Sequence, residues 1–261
     1  MLIISRGSFG VKNEIQKIWG INFLLTDQKD YLAYLENCLS SENRIILNGV
    51  NPYSLSLVKK NPEILDALKQ STIANVDGIL LKFALQYLGY KVPVRLDTPS
   101  IFEGLMEICV KQKFSIFLLG SKEEELPIII DNLKNSFKDL NIVGSHNGFF
   151  SAEDDHQIIE NIKNCSPDII LLGMPSPKKE VFMYKNKDKF LFKASLGVGG
   201  VFDIIAGKKK QAPIWVKDLK IEWLYRFVQE PFRLFERYLD MFLYFFKFIW
   251  DSRETERKRN S

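Results

Sequence analysis

From Arg44 to Phe202, short runs of Ile, Leu and Val alternate with longer stretches whose apolar residues recur at helical spacing. That alternation restricts the chain to one broad architecture. Strands covered on both faces read as continuous aliphatic runs, and the helices that cover them read as amphipathic. The runs RIILN (44–48), TIANV (72–76), SIFLLG (115–120), NIVGS (141–145), DIILLG (168–173) and KASLGVG (193–199) are predicted strands. Residues 51–70, 77–89, 99–112, 122–137, 152–163 and 177–187 are predicted helices, the first broken or restarted at Pro62. The order predicts an α/β fold, a Rossmann-like, open and mainly parallel sheet flanked by helices. Residues 1–39 carry the weakest signal.

Residues 207–261 differ in kind. They hold 13 Lys+Arg against 8 Asp+Glu, whereas residues 1–206 hold 23 against 24. They also hold 13 of the 33 aromatic residues, so the chain divides into an α/β core (1–206) and a basic, aromatic-rich appendage (207–261). Pro213 is placed to open a helix through Gln229, and Pro231 to open another. In the second, Arg233, Arg237, Asp240, Tyr244 and Lys247 form one narrow polar stripe on an otherwise apolar helix. Its apolar stretches fall short of the ~20 residues a membrane span needs. A helix lying in the membrane interface fits, with cations near anionic headgroups and aromatics at the acyl boundary. The alternative is packing on the core or on another subunit, which would make a homo-oligomer. The basic residues are interleaved with large aliphatics, which argues against nucleic acid. The closing DSRETERKRNS is expected to be a disordered tail.

The first residues, MLIISRGSFGVK, do not read as a signal peptide, because the apolar run is four residues long and the positive charges follow it. A cytoplasmic protein is expected. Cys38, Cys109 and Cys165 are far apart and odd in number, which supports neither a zinc knuckle nor a disulfide framework. His146 and His156 are read as plain surface or loop residues. Glu153, Asp154 and Asp155 follow Ser151 at a helix start and read as capping charges rather than metal ligands.

Ligands of open α/β sheets bind beyond the carboxyl ends of the strands. The loops there carry Asn48 and Asn51, Asp77-Gly78, Gly120-Ser121, Gly173 to Glu180, and Gly197 to Asp203. Asp77, directly after a strand, is either a helix cap or a functional carboxylate. The GVGG turn (197–200) lets backbone N–H groups approach a phosphate. Lys178 and Lys179 are either a solvated pair or a pair that neutralises a diphosphate.

Together these segments resemble the WecG/TagA/CpsF family of bacterial glycosyltransferases, glycosyltransferase family 26. The resemblance runs from about Gly20 to Tyr238. It is carried by LNGVNPYSL (47–55), NVDGILLKFALQYLG (75–89), VPVRLDTPSIF (92–102), LLGMPSPKKEVF (171–182), LGVGGVFDIIAGKKKQAP (196–213) and EWLYRFVQEPFRLFERYL (222–239). It implies a metal-independent, inverting transfer without a cofactor. The donor would be a UDP-sugar of the N-acetylmannosamine or glucose type. The acceptor would be a polyprenyl-diphosphate-linked sugar, used for teichoic acid, capsule or another surface polysaccharide, at the inner face of the cell membrane. By the same resemblance Asp77 is the catalytic base, Asn51 positions the sugar, and Arg95 offsets charge on the departing diphosphate. Lys179, Glu180, Gly199, Gly200, Phe202 and Asp203 fall on the donor side. Arg226, Arg233 and Arg237 match basic positions that grip the acceptor diphosphate or lipid headgroups.

Two segments depart from the family. Lys179 stands where a glutamine is frequent, and Arg95-Leu-Asp-Thr-Pro-Ser100 replaces the usual R-V-T-G-x-D. The second loop is expected to shape donor or acceptor choice. A non-catalytic, membrane-attached nucleotide-sugar-binding subunit is the other reading left open. A dinucleotide-dependent oxidoreductase is disfavoured, since no GxGxxG follows the first strand.

Overall fold

The computed structural model describes residues 15–41, 43–210, 212–213, 215–216, 219 and 221–260, with the side chains of 152, 233 and 255–260 outside that description. Among these residues the aliphatic runs become β3 (Ile45–Val50), β4 (Ile73–Val76), β5 (Ser115–Gly120), β6 (Asn141–His146), β7 (Ile169–Gly173) and β8 (Ala194–Gly197). Two short strands, β1 (Ile15–Ile18) and β2 (Ile21–Leu24), precede them. They lie in the segment where the sequence gives least, because four-residue strands show little periodicity. All eight form one sheet in the order β1-β2-β4-β3-β8-β7-β5-β6. Only β1 and β2 pair antiparallel, so the expected open, mainly parallel sheet is what forms.

The helices are α1 (Gln28–Leu39), α2 (Pro52–Ser56), α3 (Glu63–Lys69), α4 (Ile79–Tyr87), α5 (Thr98–Gln112), α6 (Leu126–Ser136), α7 (Asp155–Cys165), α8 (Lys178–Asn186) and α9 (Val201–Ile205). Their starts are chemically marked. Asp27 caps α1 by accepting from the Asp30 N–H at 2.9 Å. Asn51 and Ser54 form a reciprocal capping box on α2, with Pro52 at the position where its missing N–H costs nothing. Tyr31, Leu35, Phe102, Leu105 and Ile129 pack one face of the central strands. Phe182, Met183, Ile158 and Ile162 pack against β5 and β7 on another.

The appendage folds as α10 (Glu222–Gln229) and α11 (Pro231–Asn260). The single helix expected from Pro213 to Gln229 does not form. Leu219 lies in a turn and Ile221 leaves helical geometry at φ −108° and ψ 25°. The tail expected to be disordered instead continues α11 to Asn260. No Pro or Gly interrupts it after Pro231, and Trp250 reaches Glu254 one turn on at 3.2 Å. One face of α11 belongs to the core: Phe245 and Ile249 are buried with Ile21, Phe23, Val50, Leu81 and Leu85. Each such burial stabilises by about 1.5–3 kcal/mol.

Part of the polar stripe of α11 meets the α/β core, while Lys247 is exposed. Asp240 pairs with Lys60, Lys59 lies 4.3 Å from the Tyr244 ring, and the Arg237 guanidinium lies 3.7 Å above the Tyr53 ring. Left outward are Phe232, Phe235, Leu239, Leu243, Phe246 and Trp250, all exposed. They recur every three or four residues and so share one side of the helix. Among the described residues no helix is long and apolar enough to cross a membrane.

Candidate active site

The carboxyl ends of β3, β4, β5, β7 and β8 open on one edge of the sheet. Their loops and the inner sides of α10 and α11 enclose a cavity of about 1030 Å³. Asn51, Asp77, Ser121, Met174 and Val198 come to it from the strands, and Arg226 and Arg237 from the appendage. The volume exceeds what one small ligand needs and suits a diphosphate-linked sugar with room for a second substrate.

Asp77 is not a helix cap. Gly78 takes the N-cap position of α4 at φ +105°, a left-handed conformation that glycine adopts without strain. The Asp77 carboxylate is thereby free of the helix, and its Oδ2 accepts from the Thr98 hydroxyl at 3.0 Å. Desolvation raises its carboxyl above the ordinary carboxylate range, and the neighbouring Asp97 charge adds to this. Arg226, the Thr98 hydrogen bond and Arg95 oppose the rise without cancelling it. A carboxyl raised in this way, facing a cavity, is suited to taking a proton near neutral pH.

Arg95 lies beside it but is already engaged. Its Nη2 meets Asp97 Oδ2 at 3.1 Å and Glu222 Oε1 at 2.6 Å. The second pair ties the first residue of α10 to the loop before α5. Asp97 is doubly used, because its Oδ1 caps α5 by accepting from the Ser100 N–H and hydroxyl at 2.9 and 2.8 Å. Arg226, one turn after Glu222, lines the cavity and carries its charge toward Asp77. Asn51 lines the cavity too, although its Oδ1 is spent on the α2 cap, accepting from the Ser54 N–H at 2.9 Å.

On the other side of the cavity the two lysines of the 178–179 pair have different fates. Lys178 donates to the carbonyls of Gly148 and Phe150 and covers the Phe150 ring at 3.6 Å, which pins the loop after β6. Lys179 is buried, reaches the cavity wall, and pairs with Glu180 and the Ser176 hydroxyl. Glu180 sits behind it, off the wall, accepting from the Ser176 hydroxyl at 2.7 Å.

Gly199 and Gly200 line the cavity, with Gly199 at φ +51°. Phe202 does not line it. It is buried beneath the turn, where a Cβ on Gly173 would come within 1.9 Å of its ring. Asp203 is on the wall and pairs with Lys209. Lys208 bridges to Glu125 at 2.7 Å. Burial pushes the Glu125 carboxyl up, but Lys208, the Ser121 hydroxyl and the Lys122 N–H outweigh it and hold the group at about 2. Arg237 reaches the wall from α11, and the side chain of Arg233 lies outside the described residues.

Thr98, Glu222 and Glu125 escaped the sequence reading. A threonine at a helix start and glutamates in charged runs look like caps and solvated charges. Only the sheet topology brings positions 77, 98 and 222 together. Lys178, open in sequence between a solvated charge and one for a diphosphate, is a clamp on the loop after β6.

A cavity at the carboxyl edge of an open α/β sheet, with one desolvated carboxylate among cations, fits an enzyme that moves a group carried on a diphosphate. Comparison with known families defines the class: the chain is a glycosyltransferase. The model of the WecG/TagA/CpsF glycosyl transferase family matches residues 16–258, and the chain belongs to that family. A curated relative from Bacillus subtilis (strain 168) is the N-acetylglucosaminyldiphosphoundecaprenol N-acetyl-beta-D-mannosaminyltransferase. It is 24% identical over 221 residues, which cover 84% of this chain and 86% of the relative. Family membership favours the enzyme over the non-catalytic binding subunit.

Proposed function

We propose that this glycosyltransferase moves a sugar of the N-acetylmannosamine or glucose type from a UDP-sugar to a polyprenyl-diphosphate-linked sugar. The reaction serves teichoic acid or other surface polysaccharide synthesis at the inner face of the cell membrane. The observation that carries the reading is Asp77, a desolvated carboxylate on the wall of a cavity lined by Arg226, Arg237, Lys178 and Lys209. The relative's acceptor, a sugar on diphosphoundecaprenol, supports the acceptor class.

In the proposed step the acceptor hydroxyl oxygen attacks the anomeric carbon on the face opposite the diphosphate. Its proton passes to Asp77 as the new C–O bond forms. The bond from the anomeric carbon to the diphosphate oxygen breaks, and UDP departs with the electron pair. The anomeric configuration is thereby inverted. Charge developing on UDP is offset by fixed groups rather than a metal. Arg226 serves directly, whereas the N–H groups of Val198 and Gly199 are spent on the Leu172 carbonyl. Arg95 contributes less than a free guanidinium, because two carboxylates share it. Asn51 orients the acceptor or donor sugar through its side-chain amide, and Lys179 lies at the donor end. The outward apolar side of α11 rests in the membrane interface, which brings the lipid-linked acceptor to the cavity mouth.

The test is UDP release from a panel of UDP-sugars with a short-chain polyprenyl-diphosphate-sugar acceptor and EDTA present. Acceptor-dependent release from one donor in EDTA is expected. Release abolished by EDTA and restored by a divalent cation would sink the metal-independent mechanism.

A further inference from the structure

The loop from Arg95 to Thr98 is stitched to β4 from both sides. The Leu96 N–H donates to the Val76 carbonyl at 3.1 Å, and the Asn75 side-chain amide donates to the Leu96 carbonyl at 2.6 Å. Asp97 then caps α5, and Thr98 becomes its first residue with Pro99 next. These constraints fix the Thr98 backbone, and the buried side chain is left with its hydroxyl 3.0 Å from Asp77 Oδ2. Space for that hydroxyl comes from β3. A Cβ on Gly49 would sit 2.3 Å from Thr98 Oγ1 and 3.4 Å from Asp77 Oδ2. A side chain at position 49 and the Thr98 hydroxyl are therefore mutually exclusive in this geometry. Among the described residues the Asp77 carboxylate is held at Oδ2 by the Thr98 hydroxyl.

We infer that Thr98 is a positioning residue for the base: its hydroxyl holds Asp77 Oδ2 and so presents Oδ1 to the acceptor hydroxyl, with Gly49 keeping the space open. The inference rests on the reading of Asp77 as the base. An aspartate carboxylate can turn about its two side-chain bonds, and a base that swings loses the near-attack geometry that proton transfer requires. Thr98 removes that freedom at the oxygen the acceptor does not use. It also biases titration. The charged groups around Asp77 are Asp97 and Arg95 from the loop before α5, and Glu222 and Arg226 from α10. Against the rise from desolvation and Asp97, the Thr98 hydrogen bond favours the ionised, proton-accepting form.

The experiment compares Thr98→Val, Thr98→Ser and Asp77→Asn in the full-length protein by acceptor-dependent UDP release from pH 5 to 9. Thr98→Val keeps the branched shape and removes the hydroxyl. Its kcat is expected to fall roughly 10- to 100-fold with donor KM little changed, and the acid limb of kcat/KM to move to higher pH. Thr98→Ser restores the hydroxyl and is expected to hold kcat within about threefold of wild type with the acid limb in place. Thr98→Ala takes the place of the valine variant should that one fail to fold. An unmoved acid limb and full kcat in Thr98→Val, alongside an inactive Asp77→Asn, overturn the inference and leave the base reading standing. Loss in Thr98→Ser equal to that in Thr98→Val points to packing and overturns it as well. Wild-type activity in Asp77→Asn overturns both.

Discussion

Asp77 carries a conflict between folding and chemistry. The folded protein holds its proton more tightly than the unfolded chain does, because desolvation and Asp97 disfavour the carboxylate. Ionised Asp77 therefore lowers folding stability. The cost grows as pH rises from the ordinary carboxylate value through the raised folded value, and is constant above it. Asp77→Asn removes it while keeping an oxygen for Thr98. The variant is expected to melt above wild type at pH 7.5, with the difference vanishing as pH falls below about 3.8, the ordinary value. Each kcal/mol gained would read as about 2–4 °C in a thermal melt. A lower Tm at pH 7.5 would contradict the account of its environment. At this scale the sequence was half legible. Asp77 stood out only through the resemblance, since a lone acid after a strand reads more readily as a cap. Lys179, replacing a common glutamine, looked like a free charge and is a buried one paired with Glu180. Nothing local distinguishes the two states, because it is the packing of the Lys179 side chain over Gly197 of β8 that removes it from water.

The elements were more legible than their residues. Five of the six aliphatic runs from Arg44 onward became strands buried along most of their length, as a continuous Ile/Leu/Val run encodes, while β6 forms a partly exposed edge. The amphipathic stretches between them became helices, and Pro52, Pro99 and Pro231 fell in their first turns. The last helix was legible as amphipathic but not in its orientation. Part of its polar stripe, which alone would be assigned to water, faces Lys59, Lys60 and Tyr53, while its apolar residues divide between a buried side and an exposed one. Burial of Phe245 and Ile249 in the core decides this, and the helix alone does not encode which apolar side is taken. The arrangement separates two kinds of substitution. Leu239→Glu with Leu243→Glu, both on the exposed side, is expected to abolish flotation with anionic vesicles and leave the urea midpoint nearly unchanged. Phe245→Ala, on the buried side, is expected to cost about 3–5 kcal/mol in urea denaturation. Vesicle binding that survives the double glutamate variant would remove the apolar face from the membrane reading.

At the scale of the molecule, the chain is a mainly parallel α/β sheet whose cavity-bearing edge is lined by its own C-terminal helices. The Arg95–Glu222 pair and the burial of Phe245 and Ile249 fasten these helices to the rest of the fold. Arg226 and Arg237 thereby reach a cavity that the strands alone would leave open. The division at residue 206 is thus one of composition more than of packing, since α11 completes the core formed with β1 and β2. That union was not visible in sequence, where the two parts lie some two hundred residues apart. The central claim is that Asp77 removes the acceptor proton, and the single-turnover rate of acceptor-dependent UDP release tests it most directly. It should be measured for wild type and Asp77→Asn, with UDP affinity determined on the same preparations. The account predicts a rate lower by about 10²–10⁴, with UDP binding retained within about threefold. A variant that transfers sugar within tenfold of the wild-type rate would contradict it.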